Sequence, residues 1–480
     1  HKASENQNKG VADSIWERMK SHPIYLMMVA SALIFFGCSS LRHALFQSTA
    51  WDLAIFDQGI YLISQNQTPI SSLLGFHILG DHAALLLYPL ALLYKIYPNV
   101  HWLFAVQAAG LALGALPTWH LARQAGLKET QSISMAAVYL LYPLVFNINL
   151  FDFHPEVFAL PGLLGAVLAA RLGNIGWFCF CLVLVLSCKA VLALTVAAMG
   201  VWLLVFEKRR WFGAIALFSG IAWFIIATGF IIPFFGSELA TIGRHLSRYQ
   251  HLGSSFSEII VNLLLQPGLV LKSLFSLANL EYISLLLAPL IWGLSPQHLT
   301  PLIGAIPALA MNLLADESAQ KNLVHQYSVP ILPFLLLAVI SSLAAGRGWL
   351  QNRRGIIIWS LVAFLALAKY GYFGSIYLNS LDTWKATRVA IAQIQTSGGV
   401  LTTHNIAPHL SHRSLIKFTD ATLPPADLTE FKYILLNLRH PSWKSSRDFA
   451  TNLAKELENN PKFELKLKQD DIYLFVNNSG

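Results

Sequence analysis

Asp52, Asp57, Asp81, Asp152 and Glu156 stand at the ends of long apolar runs whose interiors carry almost no acid. His82 and His154 accompany them, and Lys189 interrupts an otherwise apolar stretch. Carboxylates so placed can take a proton from an attacking hydroxyl or hold a divalent cation, and an ammonium can meet an anion. Asp152, His154 and Glu156 are spaced by two. An extended loop would put all three side chains on one side, whereas on a helix only Asp152 and Glu156 would share a face. Either arrangement could ligate a metal: the oxygens favour magnesium, manganese or calcium, and His154 makes zinc possible. The competing reading is local. Pro155 starts a helix, Glu156 occupies its favourable first turn, and His154 is only interfacial.

Lys189 should lie at the edge of a span, because a charge at a helix centre costs about 2.5 to 3.5 kcal/mol on insertion scales. There it would snorkel, pair with a carboxylate or meet a lipid phosphate. Arg244, His245, Arg248 and His251, with His325 and Tyr327 at the mouth of another run, could clamp a phosphate, or be solvated loop charges.

The elements that must position these groups are membrane helices. A chain that is 55% hydrophobic and 12% charged has more apolar surface than one soluble core can hide. Its apolar runs of about 17 to 24 residues match the roughly 20 that cross the hydrocarbon as helix, and their continuous hydrophobicity excludes a barrel. About eleven spans are expected, at 25–46, 102–123, 131–149, 156–171, 174–187, 189–206, 211–234, 278–294, 298–314, 327–346 and 354–374.

Lys2, Lys9, Arg18 and Lys20, then Arg123 with Lys128, Arg171, Lys208 to Arg210, and Arg347 with Arg353 and Arg354 all fall on one side of that arrangement. The positive-inside rule makes this side the cytoplasm, with the C-terminus exported. Cys38, Cys179 and Cys181 fall within spans and Cys188 at the junction of two, none in an exported loop, so no disulfide framework is indicated. The net charge of +8 forms no dense stripe, which argues against nucleic acid as a partner.

Three regions follow: a basic cytoplasmic segment 1–24, a membrane domain 25–379, and an exported domain 380–480. Ten of the 25 acidic residues lie in the last hundred positions, as in a soluble unit. There a helical stretch at 383–396, strands at 400–403 and 433–438, a charged helix at 444–459 and a hairpin of 463–468 with 472–476 predict a small α/β domain that covers the membrane core or binds a partner. The exported loop 47–101 is too long for a connection. Its segments 50–61 and 83–97 read as interface helices.

This order of span, exported loop opening on Asp52, two interface helices and a span ending in Leu121-Ala122-Arg123 resembles the GT-C class of membrane glycosyltransferases. The run 83–95 is similar to the same segment in bacterial relatives of the protein O-mannosyltransferases and the lipid A aminoarabinose transferase. Leu186-Ser187-Cys188-Lys189 is similar to their Leu-Leu-Thr-Lys segment, and Gln326-Tyr327-Ser328-Val329-Pro330-Ile331-Leu332-Pro333 to their Arg-Tyr-Leu-Leu-Pro segment. A closer resemblance, over nearly the whole chain, is to a family of predicted bacterial membrane proteins related to that class. Its pattern includes Asp52, Phe56-Asp57-Gln58, Asp81-His82, Phe153-His154-Pro155, Arg248-Tyr249 with Leu252-Gly253, and His409-Leu410-Ser411 with Arg413.

The resemblance implies a GT-C-like, polytopic α-helical fold in the bacterial inner membrane. It also implies an inverting enzyme that moves a sugar from a polyprenyl phosphate to an exported acceptor. Asp52 would be the base, with Asp57 and Asp152 as further catalytic carboxylates. Asp81, His82, His154, Glu156, Lys189, Arg244, Arg248, His325 and Tyr327 would bind substrate. A magnesium or manganese ion would sit at Asp152, His154 and Glu156. Leu53 departs from the Asp-Glu pair common in the class. A carboxylate capping an interface helix is the bland alternative for Asp52. A non-catalytic assembly protein on the same fold, and a lipid or solute transporter, are the rival functions.

Overall fold

In the computed structural model, residues 22–236 and 245–479 are described. Most of them form helices running between two ends of one bundle, and a five-stranded sheet occupies the C-terminal hundred residues. Among the described residues, five helices are long and apolar enough to cross a membrane: Pro23–Ala44, His101–Gln124, Glu129–Leu150, Pro155–Leu172 and Arg210–Phe235. The number rises to seven if each of two bent pairs is one span. Each remaining expected span coincides with a shorter apolar helix or a bent pair. For these the local chemistry explains the lengths: Pro at the start of a helix and a capping side chain cut the apolar runs into pieces. Asn174 accepts from the Trp177 amide and Asn352 from the Gly355 amide.

One apolar element was not expected. Residues assigned to the loop after Phe235 fold as Phe256–Leu265 and Pro267–Leu274, bent by 97°. Pro267 cannot continue the preceding helix, and each half alone is too short to read as a span. The first loop also differs in detail. Ala50–Ala54 is a π-helical turn that leads into Ile55–Ser64. Pro89 lies in the first turn of Leu87–Ile96, where a missing N–H costs little.

Leu332–Ala344 is apolar all round and buried along nearly its whole length at the bundle centre, as such a helix must be. Thr300–Ala305, the second half of His101–Gln124 and Pro155–Leu172 pack against it, and Glu129–Leu150 belongs to the same hydrophobic core. Pro23–Ala44 and Arg210–Phe235 are mostly uncovered, with Leu33, Phe218 and Phe234 at their outer faces, a surface suited to lipid. Small residues bring Leu192–Val205 against Arg210–Ile226. A Cβ at Gly213 would lie 2.6 Å from the Leu204 amide, and one at Gly220 2.6 Å from the Ala193 carbonyl.

The two ends of the bundle differ chemically. At one, Arg171 pairs with Glu207 at 2.5 Å and bonds Gln124, while Arg209 donates to the Arg171 carbonyl. The acidic residues singled out above gather at the other, where the sheet also sits. Strands β1 (Val400–Thr402), β2 (Ile416–Phe418), β3 (Tyr433–Asn437), β4 (Phe463–Gln469) and β5 (Ile472–Asn477) take the order β2-β1-β3-β5-β4. β1 runs parallel to β2 and β3, and β5 is antiparallel to β3 and β4. Three-residue β2 had no legible alternation. Arg447–Glu458 covers one face. The other face shares a core with Phe46, Ala50 and Ala54 of the first loop, so the sheet is packed onto the membrane domain.

Candidate active site at the membrane rim

The site is built where three chain segments meet: the π-turn holding Asp52, the loop 151–154, and the link carrying Lys189. Pro143 splits Glu129–Leu150 and lets its last turns angle toward the loop. Asp152 then adopts φ +55°, a left-handed conformation that costs energy in a non-glycine residue. Its surroundings hold it there. Arg42 Nη1 lies 2.5 Å from Oδ1. The Thr49 amide donates to Oδ1 at 3.1 Å, and the Thr49 hydroxyl donates to Oδ2. Gln107 donates to the Asp152 carbonyl and accepts from the His154 amide, both at 2.9 Å. Asp152 therefore ties the loop to the first span and to the residue three before Asp52.

Asp52 is about a quarter exposed, and its Oδ1 lies 3.7 Å from His154 Nε2. The His154 ring is buried and stacks on Phe151, whose edge meets His325 at 4.7 Å. Neither ring nitrogen of His154 makes a hydrogen bond. Burial disfavours the imidazolium, but Asp52, Glu156 and Asp152 outweigh it and raise the pKa above 6.5. Next to His154, Glu156 lies 3.5 Å from Lys189 Nζ. Lys189 reaches over the Tyr327 ring, 5.7 Å from its centroid. Arg248 donates to the Tyr327 hydroxyl at 3.0 Å and to Gln320 at 3.1 Å. A carboxylate on one side and two cations on the other thus line one rim.

The remaining expected residues occupy other places. Asp57 is buried on Ile55–Ser64, accepting from Tyr94 at 2.6 Å, Ser411 at 2.5 Å and His412 at 2.9 Å. It anchors the C-terminal domain. Asp81, His82 and His245 form a separate cluster whose ligand atoms lie within 4.8 Å of one another. Among the described residues this trio, rather than Asp152, His154 and Glu156, brings three metal-type ligands together. Just before this cluster, Gly80 abuts another segment: a Cβ there would lie 2.5 Å from the Gly236 backbone. One carboxylate and two imidazoles suit zinc or manganese better than magnesium. Arg244 lies outside the described residues. Arg42, Thr49 and Gln107 were missed. Arg42 hides in the last turn of an apolar span, and the only available signal was a charge where a span should hold none.

Residues 42–474 match the family of predicted membrane proteins designated DUF2079. This chain belongs to that family. The match begins at Arg42 and ends inside β5, so most of the membrane bundle and of the sheet are parts of one family unit. No curated protein matches this DUF2079 chain in sequence. Its fold is similar to the crystal structure of ArnT from Cupriavidus metallidurans bound to undecaprenyl phosphate. The TM-score is 0.52 at 12% identity, over 95% of this chain and 98% of that one. The apo structure of the same ArnT aligns over 94% and 97%, at 12% identity and a TM-score of 0.46. At this identity the likeness is one of fold. Two motifs that carried the sequence resemblance also meet here: His409, Ser411 and Arg413 touch the first-loop region at His43, Asp57 and Gln58.

Proposed function

We propose that this DUF2079 protein transfers a sugar from a polyprenyl phosphate to an acceptor at the membrane face that bears the sheet. The observation that carries the reading is the rim itself. Asp52, partly exposed, and the cations Lys189 and Arg248 flank a line of buried His154 and Glu156 and half-buried Tyr327. The fold of a protein crystallised with undecaprenyl phosphate supports a lipid phosphate as the anion.

In this reaction Asp52 takes the proton of an acceptor hydroxyl as its oxygen bonds the anomeric carbon. The bond from that carbon to the phosphate oxygen breaks, and Lys189 and Arg248 stabilise the departing polyprenyl phosphate. One displacement inverts the anomeric centre. Asp152, paired with Arg42, positions Asp52 through Thr49, and Asp57 holds the C-terminal domain over the rim. A divalent ion, if the reaction uses one, would be held by Asp81, His82 and His245. About eleven crossings with the basic end in the cytoplasm would place the rim and the C-terminal domain on the exported side of the inner membrane.

Leu53, fully buried where the class has an acidic residue, favours a second reading: an assembly protein that kept the fold and lost the chemistry. Asp52→Asn separates the two. Loss of transfer with unchanged expression supports the enzyme; retained transfer removes Asp52 from the chemistry, and absence of transfer in the unsubstituted protein with its lipid donor favours the assembly role.

A further inference from the structure

Beside Asp52, the two domains build a second surface that the transfer chemistry does not use. Trp51 comes from the π-turn. Across from it stand Phe418 at 6.4 Å and Trp443 at 6.5 Å between ring centroids. His404 packs edge-on against both, at 4.7 Å from Phe418 and 5.2 Å from Trp443. These three residues lie at one end of the sheet. His404 follows β1, Phe418 ends β2 and Trp443 follows β3. The chain leaves β1 for a neighbour on one side and later returns to pair on its other side. The carboxyl ends of parallel strands at such a switch point open a crevice that commonly takes a ligand.

This aromatic surface also carries polar groups. His404 is buried, and its Nε2 has no hydrogen-bond partner. Burial pushes its pKa down, so the ring is neutral and can donate from one nitrogen and accept at the other. A buried group of this kind costs free energy unless something bonds it. Trp443 is half exposed although the chain strains to present it: Ser442 and Lys444 on either side have φ +72° and +59°. Asn405 accepts from Ser442, and the Lys444 carbonyl accepts from the Ala421 amide, fixing this loop.

We infer that Trp51, Trp443 and His404 form the acceptor subsite, and that the acceptor is a saccharide. A sugar ring offers apolar C–H faces to the indoles and hydroxyls to the imidazole, and a hydroxyl held there lies next to Asp52. The inference rests on Asp52 acting on an acceptor hydroxyl, and it adds what carries that hydroxyl. It also gives the C-terminal domain a part in choosing the substrate.

The full chain in lipid nanodiscs, applied to an array of immobilised oligosaccharides, tests it. Binding to a subset of glycans is expected, about tenfold weaker in Trp443→Ala and in His404→Ala, and partly restored in His404→Gln. Asp52→Asn should bind as well as the unsubstituted protein, so a failed transferase assay and a failed subsite are told apart. No glycan retained, or retention unchanged in Trp443→Ala, overturns the inference. Displacement of the glycan by added undecaprenyl phosphate assigns the surface to the donor instead, and overturns it too.

Discussion

Asp57 and His412, 355 positions apart, meet at the junction of the two domains, with His412 Nε2 2.9 Å from Asp57 Oδ1. Burial alone would lower the pKa of His412 from 6.5, but the Asp57 carboxylate outweighs it and raises it. The bond therefore contributes its full stability below 6.5 and loses it as pH rises through the higher folded value. His409 works in the opposite sense. Stacked on His43 at 3.8 Å, it is pushed down by burial to about 4. Its contribution is complete above 6.5 and is lost as pH falls toward 4. Melting temperature in detergent should peak near pH 6.5. His412→Gln should flatten the alkaline flank and His409→Phe the acid flank; two unaltered profiles would remove both groups from the pH dependence.

Arg42 and Asp152 form a buried ion pair, with side chains 9% and 0% exposed. Such pairs are poor sources of net stability, but removing one partner strands the other and costs about 3–5 kcal/mol. Arg42→Ala should lower the melting temperature and reduce transfer, because Asp152 loses the partner that fixes it against Thr49. Joint Arg42→Met and Asp152→Asn substitution should recover much of the stability and little of the activity. Full activity in that double variant would show that the pair does not position Asp52.

Lys189 lies between Glu156 and Tyr327 and is only 12% exposed. If it receives the lipid phosphate, Lys189→Ala should raise the donor KM by about tenfold or more, the scale of a lost charge-assisted hydrogen bond. Glu156→Gln should lower that KM, since a competing carboxylate is gone. An unchanged donor KM in Lys189→Ala, measured with the polyprenyl-phosphate sugar at fixed acceptor, would leave the lysine as a partner of Glu156 alone.

Much of this was written in hydropathy. Continuous apolar runs place Pro23–Ala44 or Arg210–Phe235 without further information, because lipid demands about 20 apolar residues in a row. The bent pair ending at Leu274 was hidden, since a proline divided its signal into two ordinary amphipathic pieces. At the site, residue types singled out Asp52, His154, Glu156 and Lys189, which the structure brings together, but gave no hint of their partners. Asp57 and Asp52 look alike in sequence, five positions apart on one short helical segment. Their difference lies in contacts with Tyr94, Ser411 and His412 for one and with His154 for the other. Local spacing carries no record of pairings more than 300 positions long.

The metal expectation makes the same point in testable form. Spacing by two suggested Asp152, His154 and Glu156, yet Arg42 and Thr49 engage both Asp152 oxygens, and Lys189 stands beside Glu156. The cluster with suitable ligand atoms joins Asp81 and His82 to His245. Two imidazoles and a carboxylate should hold zinc or manganese with about one ion per chain. Mass-spectrometric metal analysis of the purified protein should find it, with the content falling in Asp81→Ala and His245→Ala and unaffected by Glu156→Gln. Metal retained in Asp81→Ala but lost in Glu156→Gln would return the ion to the residues that the sequence spacing suggested, and would require Lys189 to move aside.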